Sequence, residues 1–137
     1  MIFIILGVVL HLLFPVIKLV HFPWILAGLI FIGVGGLFNL FADMDFKKTG
    51  TTVKPFGEST ELMTNGVFKY SRNPMYLGMG LTLIGEAVLL GSITPFISAF
   101  VFFVMLDRLF INIEEENLTR TFGEKYKSYI NKVRRWI

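Results

Sequence analysis

The chain has 137 residues, of which 54% are hydrophobic, and its formal net charge is +3. The length fits one domain, but the apolar fraction is too high for an ordinary soluble domain of this size, so we expect lipid to surround much of it. Without cysteine the chain has no disulfide framework and no thiolate nucleophile, and with two histidines a metal site is not expected.

Four apolar segments predict an all-α integral membrane protein with about four transmembrane helices. They comprise residues 1–20, 24–42, 75–90 and 96–113. Pro15 should kink the first helix or end it early. A signal peptide is the rival interpretation of this segment, but a positively charged start and a small-residue cleavage site are missing.

Small residues recur at helical spacing on the second and third segments. Gly28 and Gly35 share one face, and so do Gly78, Thr82 and Gly85. Such faces allow two helices to pack closely in a membrane. A carboxylate inside a span usually indicates function, but Glu86 lies near the end of its span, and we interpret it as structural.

The polar connection, residues 43–72, is too long for a simple turn and favours two interpretations equally: a lid over a site, or a tether. A short helix is expected at residues 59–64, followed by a turn at Asn65 and Gly66. Lys and Arg concentrate in residues 47–72 and 120–135. Beside apolar segments such charge indicates cytoplasmic flanks near anionic lipid and not a nucleic-acid surface.

Residues 66–80, GVFKYSRNPMYLGMG, form the boundary between the polar connection and the third apolar segment. Pro74 is tolerated in the first turn of a helix, where Ser or Asn before it can act as a cap. The free N–H groups and partial positive charge of such a helix start suit an anionic ligand group. The segment is therefore a candidate binding site, with Arg72 at the membrane interface and Tyr76 one turn inside.

The C-terminal residues 114–135 predict an amphipathic cytoplasmic helix, because charged and apolar side chains alternate at helical spacing. An even number of spans then places both termini and residues 43–72 on the cytoplasmic face of a multi-pass protein in the cell membrane, meaning the inner or plasma membrane.

The predicted hairpin of the third and fourth spans brings the Arg72–Tyr76 stretch close to the acids Glu114, Glu115 and Glu116. An arginine, a tyrosine, backbone amides and several acids suit a zwitterionic ligand. In the alternative interpretation the acids only start a new helix that is capped by Asn112.

The motif SRNPMYLGMG, followed by EEENLTRTFGEKYKSYINKVRRWI, resembles the membrane methyltransferases that include isoprenylcysteine carboxyl methyltransferases and phospholipid N-methyltransferases. The stretches GTTVKPF and NGVFKYSRNP extend the similarity, which runs from Gly50 to the end of the chain. Many relatives have histidine where this chain has Asn73, which removes an imidazole from that position.

This resemblance implies a site for S-adenosylmethionine. It implies catalytic roles for Arg72 and Glu115. The cofactor-binding residues that it implies are Arg72, Asn73, Pro74, Tyr76, Gly78, Gly80, Glu114 and Glu115.

The implied reaction is an in-line methyl transfer to a lipid-like or prenylated small substrate presented from the bilayer. Two other classes stay open: a membrane lipid or isoprenoid reductase of related topology, and a non-catalytic membrane binding or assembly protein. The sequence gives neither the acceptor nor the oligomeric state.

Overall fold

Hydropathy and turn residues divide the chain into helices, and a computed structural model describes residues 1–14, 17–48 and 61–137. Within these ranges the regular structure is helical, with one isolated β-bridge between Lys18 and Ser92 and no named strand. The α-helices are α1 Ile2–Leu13, α2 Ala27–Lys48, α3 Pro74–Leu90, α4 Thr94–Met105, α5 Asn112–Phe122 and α6 Glu124–Ile130. Short 3₁₀ turns occur at Trp24–Leu26 and Gly66–Lys69, and a π-helical turn at Leu106–Ile111 joins α4 to α5.

Among the described residues, two helices are long and apolar enough to cross a membrane, namely Trp24–Lys48 and the continuous helix Thr94–Phe122. Two shorter apolar helices, Ile2–Leu13 and Pro74–Leu90, accompany them. Large apolar side chains on these helices are exposed, for example Ile30 and Phe100 at 68% and 69%. Water would disfavour so much exposed apolar surface, which supports membrane association. The four-span arrangement stays a prediction.

Several helix bounds differ from the sequence-based ones. Helix α1 ends at Leu13, and α2 continues past residue 42 to Lys48, where an i,i+4 ion pair of 2.6 Å joins Lys47 to Asp43. Polar residues therefore extend this helix, and the connection predicted at 43–72 starts later. The helix expected at 59–64 is not helical over residues 61–64, and its other two residues, like GTTVKPF, lie outside the described ranges.

The C-terminal half differs most from the expectation. Residues 94–122 form one helix, so the fourth apolar helix does not end at residue 113. Asn112 caps nothing, because Ile111 before it already has helical φ and ψ. The amphipathic helix predicted over 114–135 is interrupted at Gly123, whose φ of 52° favours glycine, and α6 ends at Ile130.

The chain divides into two compact units. The first comprises residues 1–37 and 78–105, and the second comprises residues 38–77 and 106–137.

In the first unit the glycine faces pack helix against helix, as predicted. A Cβ on Gly28 would lie 2.5 Å from the Gly85 carbonyl oxygen, and one on Gly35 would lie 2.5 Å from that of Gly78. The turn after α3 is pinned by hydrogen bonds from the Leu19 and Val20 amides to the Gly91 carbonyl. Glycine is required at these helix contacts and at the Gly91 turn, because a side chain there would push the neighbouring backbone segments apart.

The second unit has a small core built by α5, α6 and the tail. Tyr126, Tyr129 and Val133 are buried there. The partly buried side chains packed against them are those of Leu62, Leu118, Phe122 and Ile130. The apolar side of these C-terminal residues thus packs within the protein. The Tyr129 hydroxyl donates a 2.6 Å hydrogen bond to the Phe68 carbonyl, which connects this core to the Gly66–Lys69 turn.

The glycine contacts give a first test. Gly35→Ala should lower the melting temperature in detergent, because an overpacked helix contact costs about 1–3 kcal/mol. The matched control is Gly36→Ala, since a Cβ there meets nothing within 4 Å. Alanine favours the helix over glycine by up to about 1 kcal/mol, so the control should be neutral or stabilising. A loss of stability in both variants would contradict close packing at Gly35.

The buried tyrosine gives a second test. Tyr129→Phe leaves the Phe68 carbonyl without its hydroxyl donor, which should destabilise the protein by about 1–3 kcal/mol. Tyr70→Phe is the control, because Tyr70 is 72% exposed. Thermal unfolding in detergent measures the stability of both variants. Equal melting temperatures for the two would contradict a structural role of the Tyr129 hydroxyl.

Candidate active site

The start of α3 is built as its sequence predicts. Ser71 is fully buried, and its Oγ accepts a 3.1 Å hydrogen bond from the Asn73 amide. The Asn73 carbonyl accepts the first bond of the helix, from the Leu77 amide at 2.9 Å, and Pro74 follows as the first helical residue. The turn therefore fixes the backbone of Arg72 and Asn73 before the helix begins.

Arg72 pairs with one of the predicted acids. Its Nη1 lies 3.0 Å from Glu115 Oε1, and the two side chains are only 11% and 17% exposed. Among the described residues its buried Nε has no hydrogen-bond partner. A buried guanidinium N–H without a partner is costly, so this nitrogen is a donor prepared to bind an acceptor.

Glu115 also pairs with a second arginine, which the sequence analysis did not identify. Arg135 binds both carboxylate oxygens, with Nη2 2.6 Å from Oε2 and Nε 3.2 Å from Oε1. Its Nη1 lies 2.7 Å from Asp107 Oδ1. These bonds, chiefly those to Glu115, raise the pKa of Arg135 above its usual value. Both oxygens of Glu115 are thus occupied by arginine.

Glu114 has a different partner, although it is the next residue in the chain. Its Oε2 accepts a 3.2 Å hydrogen bond from the Tyr76 hydroxyl. Glu116 is exposed. The three consecutive acids therefore differ in their contacts: one lies between arginines, one binds a tyrosine, and one is exposed.

Two further tyrosines stay protonated at neutral pH. Burial, together with the charge of Glu115, raises the pKa of Tyr126 to about 12, and burial raises the pKa of Tyr129 as well. Both hydroxyls are consequently neutral hydrogen-bonding groups and poor candidates for a general base.

A cavity of about 60 Å³ lies within the second unit. Its polar wall includes Arg72, Asn73, Glu114 and Glu115. Its apolar wall includes Phe46, Phe68, Leu118, Tyr126 and Tyr129. The volume accommodates a small charged group, and the wall offers the guanidinium of Arg72 to an anion and the carboxylate of Glu114 to a cation.

Four of the eight residues implied as cofactor ligands line this cavity, namely Arg72, Asn73, Glu114 and Glu115. Tyr76 binds Glu114, and Pro74 belongs to the same unit. Gly78 and Gly80 belong to the first unit. There Gly78 packs against Gly35, and the space beside Gly80 is filled by the ring of Phe103. The binding role of these two glycines stays a prediction.

Arg135 was missed because the basic tail gave no signal that separates it from its neighbours. Lys132, Arg134 and Arg135 all fit a tail near anionic lipid. Asp107 was equally hard to assign, since it lies toward the cytoplasmic end of the apolar segment 96–113. In the described ranges no group of three or more His, Asp or Glu side chains is placed to hold a metal ion.

Comparison with known proteins gives two kinds of match. A family model described as phospholipid methyltransferase matches residues 23–125. A protein-S-isoprenylcysteine O-methyltransferase of Schizosaccharomyces pombe is 36% identical over 75 residues, which are 53% of this chain and 30% of the yeast protein. An uncharacterized protein of Haemophilus influenzae is 33% identical over 63 residues, which are 46% of this chain and the entire length of the bacterial protein.

No solved structure gives a significant match. The chain spans less than a third of the yeast relative but all of the bacterial one. The family model covers most of the chain and includes the Arg72 and Glu115 ion pair. The chain is therefore a member of the phospholipid methyltransferase family, which includes the membrane methyltransferases that its motifs resemble.

Proposed function

We propose that this protein transfers a methyl group from S-adenosylmethionine to an acceptor embedded in lipid. The observation that carries the proposal is the cavity in which an unpartnered buried Nε of Arg72 lies near the carboxylates of Glu114 and Glu115. Membership of a methyltransferase family supports the reaction class. The exposed apolar helices support an acceptor that arrives from the membrane.

The residues present fit the charged amino-acid end of that cofactor. Arg72 offers its buried Nε to a carboxylate. A guanidinium suits a carboxylate better than a lysine ammonium does, because the guanidinium donors lie in one plane. Glu114 offers a carboxylate to an ammonium or to hydroxyl groups. Asn73 and Pro74 fix the backbone beside Arg72, and Tyr76 orients Glu114.

When bound, the cofactor supplies a methyl carbon on a positively charged sulfur, which is already an electrophile. The protein then needs chiefly to align the acceptor with that carbon and to exclude water. Arg72 acts by fixing the position of the bound group. Glu115 acts through Arg72, since both of its oxygens are held by arginines.

Two acceptor chemistries fit a lipid-embedded substrate. A prenylated cysteine carboxylate is ionised at neutral pH and attacks without a base, whereas a phospholipid amine must first lose a proton. Asn73 cannot accept a proton, and the raised pKa of Tyr126 disfavours it as a base. Burial raises the pKa of Glu114, but in this proposal its carboxylate already holds the cofactor. These observations, and the name of the yeast relative, support the carboxylate.

We place the site at the cytoplasmic face of the cell membrane, in a multi-pass protein whose residues 43–72 and C-terminus lie on that side. The support is the concentration of Lys and Arg in these stretches. The cofactor is charged and does not cross lipid, so methyl transfer in sealed vesicles reports the side on which the site lies.

The direct test is transfer of labelled methyl from S-adenosylmethionine by the purified protein in liposomes. We expect label in an N-acetylated prenylcysteine and not in phosphatidylethanolamine, the competing acceptor. With sealed membrane vesicles, we expect activity only in the inside-out ones. Arg72→Ala should lower the rate at least about tenfold, as expected for a lost charge-assisted bond. A lipid reductase or a non-catalytic binding protein would transfer no label to either acceptor.

A second test separates the acids by their contacts. Glu114→Gln should weaken binding of S-adenosylhomocysteine about tenfold, because a charge-assisted bond is worth roughly 1.5–3 kcal/mol. Glu116→Gln removes the same charge from an exposed neighbour and should leave affinity unchanged. Titration calorimetry in detergent measures both. Equal and small effects would contradict the assignment of Glu114 to the cofactor.

A further inference from the structure

The C-terminal tail, residues 131–137, runs back to the start of α3 and is held there by backbone groups. The Arg72 amide donates a 3.1 Å hydrogen bond to the Arg134 carbonyl. The Arg135 carbonyl accepts bonds from Ser71 Oγ at 3.3 Å and from Asn73 Nδ2 at 3.2 Å. The tail therefore satisfies three donors of the SRN turn that would otherwise be left near a membrane surface.

The side chain of Arg135 makes a second set of contacts from the same tail. It holds Glu115 through two bonds and Asp107 through one, yet it is not among the described residues that wall the cavity. Asp107, Arg135, Glu115 and Arg72 thus form a chain of alternating charges. Only its last member, Arg72, presents an unpartnered donor.

This alternation of charges determines which guanidinium nitrogens of Arg72 contact Glu115. Because Arg135 occupies both Glu115 oxygens, Glu115 receives only a single contact from Arg72, through Nη1. Without Arg135, a bidentate pairing of Glu115 with Arg72 would become the best way to satisfy the carboxylate. Such a pairing recruits a second guanidinium nitrogen of Arg72 and takes donors away from a ligand.

We propose that Arg135 is a positioning residue, which saturates Glu115 so that Arg72 keeps its Nε for the anionic group of the bound ligand. This inference rests on the proposed function and extends it to a residue in the tail. The planar fork of arginine is required, because a lysine ammonium is a point charge that cannot bind two carboxylates in fixed directions.

The test compares Arg135→Lys with Arg134→Lys in S-adenosylhomocysteine titrations of the full chain in detergent. Arg134 is the matched control because it is the adjacent arginine, and its side chain is exposed. We expect Arg135→Lys to weaken binding about tenfold, the size of one charge-assisted bond, and Arg134→Lys to leave it unchanged.

A second measurement distinguishes two roles of Arg135: positioning Arg72, or only attaching the tail to the protein. The chain has two tryptophans, so in a Trp24→Phe background the emission of Trp136 reports the tail alone. We expect Arg135→Lys to keep the native emission and melting temperature while affinity falls. In Arg135→Ala, added guanidinium ion should restore part of the affinity, whereas the same concentration of ammonium ion should not.

The outcomes distinguish a failure of the role inferred for Arg135 from a failure of the proposed function. If the native chain binds S-adenosylhomocysteine and Arg135→Lys binds it equally well, Arg135 does not position Arg72. The same holds if affinity falls only together with a shift of Trp136 emission, because the tail then acts as an attachment. If the native chain shows no binding, the proposed function fails, and this inference fails with it.

Discussion

In the second unit one largely buried carboxylate, that of Glu115, lies between two arginines. Removing a carboxylate from water is costly, and the cost is offset only when good geometry satisfies its oxygens. Here Arg72 and Arg135 together supply three contacts of 2.6–3.2 Å. Since one arginine belongs to the SRN turn and the other to the tail, the charge of Glu115 fixes three separate stretches of the chain at once.

The three acids of EEE have different surroundings. Consecutive helical residues point about 100° apart, so Glu114, Glu115 and Glu116 face three directions. One direction meets the arginines, one meets Tyr76, and one is exposed. The two acids of the cavity wall therefore differ in their contacts: arginines hold Glu115, and Tyr76 binds Glu114.

The sequence predicted what hydropathy, glycine spacing and turn chemistry determine: the apolar helices, the contacts of Gly28 and Gly35, the Gly66 turn, and the proximity of Arg72 to the acids. The C-terminal half was harder. Charge after residue 113 indicated the end of a span, yet helix 94–122 continues through a π turn. Asp107 and Glu115 are eight positions apart, about 80° out of line on a regular α-helix. A π turn accommodates roughly one extra residue, which brings both acids toward one arginine.

Asn73 links these arrangements to the chemistry. Its side-chain amide donates a hydrogen bond to the Arg135 carbonyl and so fastens the tail. An amide neither takes up nor releases a proton at neutral pH, and the nearby buried tyrosines are held protonated. Asn73 and these tyrosines can hold a bound group but cannot deprotonate it. Glu114 in the cavity wall can take up a proton, because burial raises the pKa of its carboxyl.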